Sequence, residues 1–434
     1  MGEGMKLFFS AVQWMFFMLA SSLVAPIAIA GLFHLSAADT AEFVQRTMFV
    51  LGLSGIIQAL IGHRLPINEG PAGLWWGVFA IYAGFTGTIY SSTEQVLQSL
   101  EGGMIVSGVF FILLAAGGWL EKMARLFTPT VTFIYLLLLI LQLSGSFLNG
   151  MLGLPNEEGT VRPLVMAGSA VTLVAAFYLS AHRIQWVRQY SVIISLGFGW
   201  LFFSIIGEAS FPAISGDRIF HFPNLFVFGP PLLDSGTIVT AAFITLLLTA
   251  NMIASIRVME EVIGRLNGGN KKGSYRSAGI AAGINQMLGG GFSAIGSVPI
   301  AGAAGFVAQT GNVSIKPFLT GSLFIVGMSV FPPIMNVLSS LPSPVGYAVT
   351  FVIFSRMAGF AFAEMEKEKS QGRARIVAGI ALLAGVGVMF VPAAAFIDFP
   401  AAAASILNNG LIFGTMIAIC VEQFLRVRTQ KKGE

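Results

Sequence analysis

Apolar segments of membrane-spanning length run almost end to end through this chain, and two of them are broken by glycine and proline in the same way. A bilayer core about 30 Å thick takes roughly 20 helical residues to cross. It has no water to pair a stray N–H or C=O, so irregular backbone at that depth persists only where protein or a polar cavity surrounds it. Fourteen apolar segments are expected, near 7–33, 41–62, 71–90, 95–119, 127–149, 163–181, 189–207, 236–259, 275–290, 298–311, 314–338, 344–363, 375–396 and 402–424. The breaks are Leu65-Pro66-Ile67-Asn68-Glu69-Gly70-Pro71-Ala72-Gly73-Leu74-Trp75-Trp76 and Gly289-Gly290-Gly291-Phe292-Ser293-Ala294-Ile295-Gly296-Ser297-Val298-Pro299. A matched pair of such interruptions in two halves of a chain points to the binding site of a secondary transporter.

The composition fits a polytopic membrane protein. Of 434 residues, 55% are hydrophobic and 10% charged, and mean hydropathy is +0.81; a soluble domain carries about 25% charged residues. The apolar stretch after Lys6 continues to Phe33, too long for the core of a cleavable signal peptide. Cys420 is the lone cysteine, which excludes an internal disulfide and a cysteine metal cluster. The net charge of +4 is a topology signal rather than a nucleic-acid footprint. Lys6, Arg64, Lys122, Arg125, Arg183, Arg188, Arg265, Lys271, Lys316, Lys367, Arg373 and Lys431 fall in alternate connections. The opposite ones carry Asp39, Glu42, Glu94, Glu157, Asp217 and Asp398. The positive-inside rule then places both termini in the cytoplasm of a cell (inner) membrane protein.

The halves also match in spacing. From Leu7 to Pro71 and from Ser235 to Pro299 the interval is 64 residues in each case. Seven spans per half make an inverted repeat, with a site near the midplane where the two broken elements meet. The expected fold is an all-α polytopic membrane protein of 14 transmembrane segments in a 7+7 inverted repeat, with short extended segments in spans 3 and 10.

Ionisable groups inside a membrane are expensive and mark function by default. Glu69 lies five residues beyond Arg64, which in an extended chain is roughly 16 Å deep. Gly70-Pro71 follows, then a helix start. Glu69 has two physically reasonable uses: to bind a polar ligand or take up a proton, or to cap that helix or pair with Arg64. Asn251 sits inside the eighth span with Ser255 one turn on; its amide suits a base edge, and equally an interhelical hydrogen bond. Arg356 is either deep or close enough to the end to snorkel. His34, His63, His182 and His221 lie near span ends and make no metal site. The Glu364–Arg375 cluster reads as a solvated end. Trp14, Trp119, Trp186 and Trp200 read as interface anchors, and Trp75-Trp76 as packing residues, one of which could stack on a planar substrate.

Four stretches resemble the nucleobase–ascorbate transporter family, which includes bacterial uracil and xanthine permeases. Gln13-Trp14 with Pro26 is similar to its first-span motif, and Leu65-Pro66 with Gly70-Pro71 to its third-span segment. Ala303-Ala304-Gly305-Phe306-Val307-Ala308-Gln309-Thr310-Gly311 is similar to its tenth-span signature. Leu341-Pro342-Ser343-Pro344-Val345 resembles the turn before its twelfth span. The resemblance implies a core domain at 1–125 and 231–340 (spans 1–4 and 8–11). It implies a gate domain at 126–230 and 341–434 (spans 5–7 and 12–14). It further implies a homodimer, elevator-type alternating access, and proton or sodium symport of a nucleobase or related heterocycle.

The chain departs from that pattern at its polar positions. The family's first-span His falls on Trp14, its eighth-span Glu on Asn251, and the later His of that motif on Ser255. Gly302 and Ala303 stand where Glu or Gln and then Asn are usual, and Gly73 where an aromatic is expected. Glu69 is then a relocated acid, taking over binding or protonation. The expected substrate contacts are Ser21, Glu69, Gly70, Pro71, Gly73, Asn251, Ser255, Ile300, Ala301, Gly302 and Ala303, with Glu69 the proton-coupling candidate. Neither covalent chemistry nor a cofactor or metal is required, H+ being the favoured coupling ion and Na+ the other. The competing readings are an anion transporter of the same architecture and an uncoupled facilitator. An intramembrane enzyme would need a deep acid pair, a deep His or metal-ligand spacing, none of which the sequence offers.

Overall fold

The computed structural model describes residues 3–154, 159–209, 219–267, 272–396 and 398–430. Glu157, Asp217, Lys271 and Lys431, used above for orientation, lie outside the described residues. The chain enters through α1 (Glu3–Ser22) and α2 (Val24–Leu32), which together make one long apolar stretch, and returns in α3 (Ala37–Leu60). The first break follows as β1 (Glu69–Pro71) and a short α4 (Gly73–Ala83). Next come α5 (Thr93–Ala116), a single turn α6 (Leu120–Ala124), α7 (Pro129–Met151), α8 (Pro163–Ser180), α9 (Gln185–Gln189) and α10 (Ser191–Ile205). The second half runs α11 (Ser235–Asn267), α12 (Tyr275–Gly291), β2 (Ser297–Pro299), α13 (Gly302–Thr310), α14 (Ile315–Ser329) and α15 (Pro332–Ser339). It closes with α16 (Ser343–Glu366), α17 (Gln371–Met389), α18 (Ala401–Leu407) and α19 (Gly410–Gln430).

Local chemistry sets these ends. Ser36, Ser92, Thr128 and Ser274 each accept a backbone N–H of the helix they precede, meeting one of the unpaired donors at a helix start. Pro129, Pro163 and Pro344 occupy first-turn positions where no N–H is needed. Pro332-Pro333 cannot continue α14, and α15 leaves it at 92°. Eight described helices are long and apolar enough to cross a membrane, or nine if α14 and α15 form one bent span. The difference from fourteen apolar segments has a plain cause: the breaks leave only half-length helices α4 and α13, α10 in segment 189–207 is short, and other segments divide, as 402–424 does between α18 and α19.

Two sets of helices pack among themselves. In one, α5 lies along α11 and α12, and α3 along α12, α14 and α15, with α1 on α14. In the other, α7 packs on α16, α17 and α19, and α8 on α10 and α16. The α5–α12 contact depends on glycine: a Cβ on Gly108 would stand 2.5 Å from Gly283 O, and one on Gly283 2.6 Å from Gly108 O. Such close backbone approach is how membrane helices gain contact without a hydrophobic driving force. The sets meet through α2 on α16 and α4 on α7. There Trp76 packs between Phe147 and Phe354, and Tyr347 OH donates to Ala28 O at 3.0 Å.

Several sequence expectations change here. Trp14 is buried against Phe306 and Phe318 rather than anchored at an interface. Glu368, inside the Glu364–Arg375 cluster, is buried, bonded by Thr130 and paired with Arg373 at 3.0 Å. Arg356 does not snorkel freely: its Nη2 donates to Ser180 O, at the negative end of α8. Glu101 and Glu422 are further buried acids, held by Ser293 and by Thr128 respectively.

Candidate functional site

The two breaks meet. β1 and β2 pair antiparallel, Glu69 opposite Pro299, Gly70 opposite Val298 and Pro71 opposite Ser297. Ala72 N–H donates to Gly296 O at 2.9 Å and Ile300 N–H to Asn68 O at 3.0 Å, closing the ladder at its two ends. Each break therefore satisfies the other's backbone, which is what permits extended chain at this position. Because the strands run oppositely, α4 and α13 leave from opposite ends of the ladder. Their first turns carry partial positive charge, although in α13 the Ala303 and Ala304 N–H groups already donate to Ile300 O and Ala301 O at 3.1 and 3.0 Å.

Side chains alternate across the ladder. Gly70 faces Ile300: a Cβ there would lie 2.0 Å from Ile300 Cδ1. Glu69 faces the other way and is 3% exposed. Its Oε2 accepts from Ser297 Oγ at 2.9 Å, and Asn285 of α12 stands beside it. So the carboxylate points into the helix packing behind the strands rather than into open space. It neither caps α4 nor pairs with Arg64; no side-chain cap serves that helix.

The remaining candidates cluster around the ladder. Ser255 Oγ donates to Pro299 O at 2.9 Å and lies 3.5 Å from Asn251 Oδ1, so α11 fixes β2 through a hydroxyl and leaves the amide half-buried at its margin. Ser21 Oγ accepts from Asn68 Nδ2 at 3.2 Å, tying α1 to the start of β1. Pro71, Gly73, Ile300 and Ser21 are half-buried; Ala301 and Gly302 are exposed. Gly73 looks across at the second helix set, where a Cβ would come within 3.7 Å of Leu139 Cδ2 and 3.8 Å of Phe354 Cζ. Around a Cβ on Gly302 only Ile300 Cγ2 comes within 4 Å, at 3.5 Å. Ala303, by contrast, is fully buried, so the lost side chain there does not widen the exposed face.

Sequence reasoning missed the residues that hold the ladder from behind. Trp75 Nε1 donates to Gln286 Oε1 at 2.7 Å, and Gln286 Nε2 to Ser297 O at 2.6 Å. Asn285 Nδ2 donates to Ser54 O at 3.3 Å. The adjacent amides Asn285-Gln286 in a helix of glycine and aliphatic residues were the available signal. A cavity of about 570 Å³ opens elsewhere, between α2, the start of α3 and the α15–α16 turn, and shares no residue with the ladder.

Comparisons with known proteins agree on the architecture and the relationship. A family model described as "Permease family" (Xan_ur_permease) matches residues 5–394. The chain is 46% identical over 431 residues to "Putative purine permease YwdJ" of Bacillus subtilis (strain 168), covering 98% of each. It is 24% identical over 440 residues to "Uric acid permease PucJ" of the same strain, covering 98% of this chain and 94% of that one. To "Xanthine permease XanP" of Escherichia coli (strain K12) it is 20% identical over 427 residues, covering 95% and 90%. Among solved structures, the transmembrane domain of the cyanobacterial bicarbonate transporter BicA superposes with a TM-score of 0.61 at 12% identity, covering 94% of this chain and 97% of that one. SLC26A9 superposes with the same score and identity, covering 95% and 65%. At that identity the likeness is one of fold.

Proposed function

The chain belongs to the xanthine/uracil permease family, and from that premise we propose that it imports a purine or a related heterocycle by secondary active transport. The observation that carries the reading is the full-length relationship to permeases named for purine, uric acid and xanthine. The paired breaks add the site: two half-helices starting beside a ladder whose exposed rim is Gly302, Ala301, Gly73 and the Asn251 amide. An amide with two donors and two acceptors matches a purine edge, and the N–H groups that open α4 match its carbonyl oxygens.

In this reading the fourteen segments form a 7+7 inverted repeat with both termini cytoplasmic. Residues 1–125 and 231–340 move as a core against a gate of 126–230 and 341–434, in an elevator-type cycle within a homodimer. Ser21, Gly70, Pro71, Gly73, Asn251, Ser255 and Ile300–Ala303 shape the substrate site. Glu69, behind the ladder, takes up the coupling proton rather than touching the base.

Anion transport is the second reading, favoured by the BicA-like and SLC26-like fold and by facing helix N-termini. A thermal-shift screen of the purified protein against purines, pyrimidines, ureides and small anions separates the two. A ligand at 100 times its Kd should stabilise the protein by about 2.7 kcal/mol. Purines are expected to give the shift; a shift from anions alone would sink the purine reading.

A further inference from the structure

A second, smaller pocket lies among α8, α10 and α16, within the second helix set. Its volume is about 30 Å³, room for one oxygen-sized atom and far too little for a purine. The polar lining is Ser180, Ser191, Ser195 and Arg356, set against aliphatic side chains. Of the lining residues only Ile353 and Arg356 are exposed, so the mouth opens past them onto the outer surface of the helix set. Ser191 and Ser195 are one turn apart on α10 and share a face. Ser195 is 1% exposed and its Oγ has no hydrogen-bond partner. Buried polar atoms are seldom left so, and each case calls for an explanation.

Arg356 is under-used in the same way. A guanidinium carries five N–H donors, and Nη2 gives one to Ser180 O, which caps the end of α8. The rest of the fork has no acceptor among the described residues, and no acid pairs with it. A cation on the outer face of a membrane helix is costly and calls for a partner. The bond to Ser180 O also fixes its height. α8 has 18 residues, roughly 27 Å of helix, against a hydrocarbon core of about 30 Å. Its last residue, Ser180, therefore lies at a membrane surface, the level of lipid phosphates. Arg183 lies three residues beyond Ser180 and Arg188 three before Ser191; both are exposed and neither has an acid partner among the described residues. Tyr178, Ile184 and Trp186 are exposed along the same stretch, as suits side chains at headgroup level.

We propose that this pocket holds the phosphate of an anionic phospholipid: one phosphate oxygen enters it and accepts from Ser195 Oγ, while a second accepts from the remaining fork of Arg356. A planar guanidinium meets phosphate in this two-pronged way. Arg183 and Arg188 add positive charge around the headgroup, which favours a lipid of net negative charge over a zwitterionic one. A water in the pocket would serve Ser195 but leave the charge of Arg356 uncompensated. The bound lipid ties α8, α10 and α16 together at one membrane surface.

Native mass spectrometry of the full chain, released from detergent micelles doped with phosphatidylglycerol or phosphatidylcholine, counts bound lipids and gives their Kd. Phosphatidylglycerol is expected to bind about tenfold more tightly than phosphatidylcholine. Arg356→Gln should weaken it by about tenfold or more, and Ser195→Ala by roughly 2- to 12-fold, the worth of one ordinary hydrogen bond. Arg356→Lys keeps the charge, guards against misfolding of the glutamine variant, and should fall between it and the native chain. Lys6→Gln, the same change of charge at an exposed position on α1, should leave binding unchanged. Equal binding of the two lipids, or phosphatidylglycerol binding that neither Arg356→Gln nor Ser195→Ala weakens, overturns the proposal. Inorganic phosphate that raises the melting temperature of the lipid-free native chain but not of Arg356→Gln would assign the pocket to a free anion and overturn the lipid assignment.

Discussion

Replacing Gly70 by alanine is the sharpest test of the strand pairing. The added Cβ would sit 2.0 Å from Ile300 Cδ1 and 2.9 Å from Cγ1, where carbon atoms prefer about 3.5–4.0 Å. Relief has two routes. Ile300 is half-buried and can leave its rotamer, at about 0.5–1.5 kcal/mol. Otherwise the strands part, and overpacking of that kind costs about 1–3 kcal/mol. Because Ile300 borders the exposed rim, either route disturbs ligand contacts, so the apparent Kd for the best purine should rise roughly 2- to 140-fold, at 1.4 kcal/mol per decade. Ile300→Ala removes both clashing atoms, so Gly70→Ala/Ile300→Ala should recover much of the loss. Equilibrium binding to purified protein is the assay. Unchanged affinity in Gly70→Ala, or a double variant no better than the sum of the singles, would refute the tight Gly70–Ile300 contact.

Further outcomes follow from the same geometry. Gly302→Asn places a polar side chain where there is open space; folding should survive while purine affinity falls at least tenfold, read by the same binding assay. Asp234, just ahead of α11, gives a pH dependence. Burial acts to raise its carboxyl, but Thr237 N–H and Oγ1, Tyr90 OH and Ser99 Oγ outweigh burial and hold it below the ordinary range. A depressed acid contributes stability that is present above its unfolded pKa and lost as pH falls through the folded value. The melting temperature should therefore fall in acid, and Asp234→Asn should remove that part of the acid sensitivity.

The breaks were legible because glycine and proline are the residues that cannot continue a helix in lipid, and their partnership followed from the need to satisfy backbone groups. Which way Glu69 points was not. With a period of two, one residue of register decides whether a side chain faces ligand or scaffold, and no local pattern around Leu65–Gly73 encodes that register. It is set by Gly70 having to admit Ile300. Asn285 and Gln286 escaped notice for a related reason: an amide on a helix becomes part of a site only through the rotation of that helix against its neighbours. The glycines at 108 and 283 fix that rotation, and their pairing is a contact between distant segments. The Glu364–Arg375 cluster misled in the opposite direction. Glu368 lies just beyond the end of α16, where an acid is ordinarily solvated, yet it is buried and bonded by Thr130 of α7.

Uptake into proteoliposomes bears most directly on the transport reading. Purified protein reconstituted with an inward proton gradient should accumulate a labelled purine, with uric acid and xanthine as the first choices. Unlabelled purines should compete, bicarbonate and sulfate should not, and collapsing the gradient should reduce accumulation to equilibration. Accumulation of the anions without any purine uptake would contradict the reading.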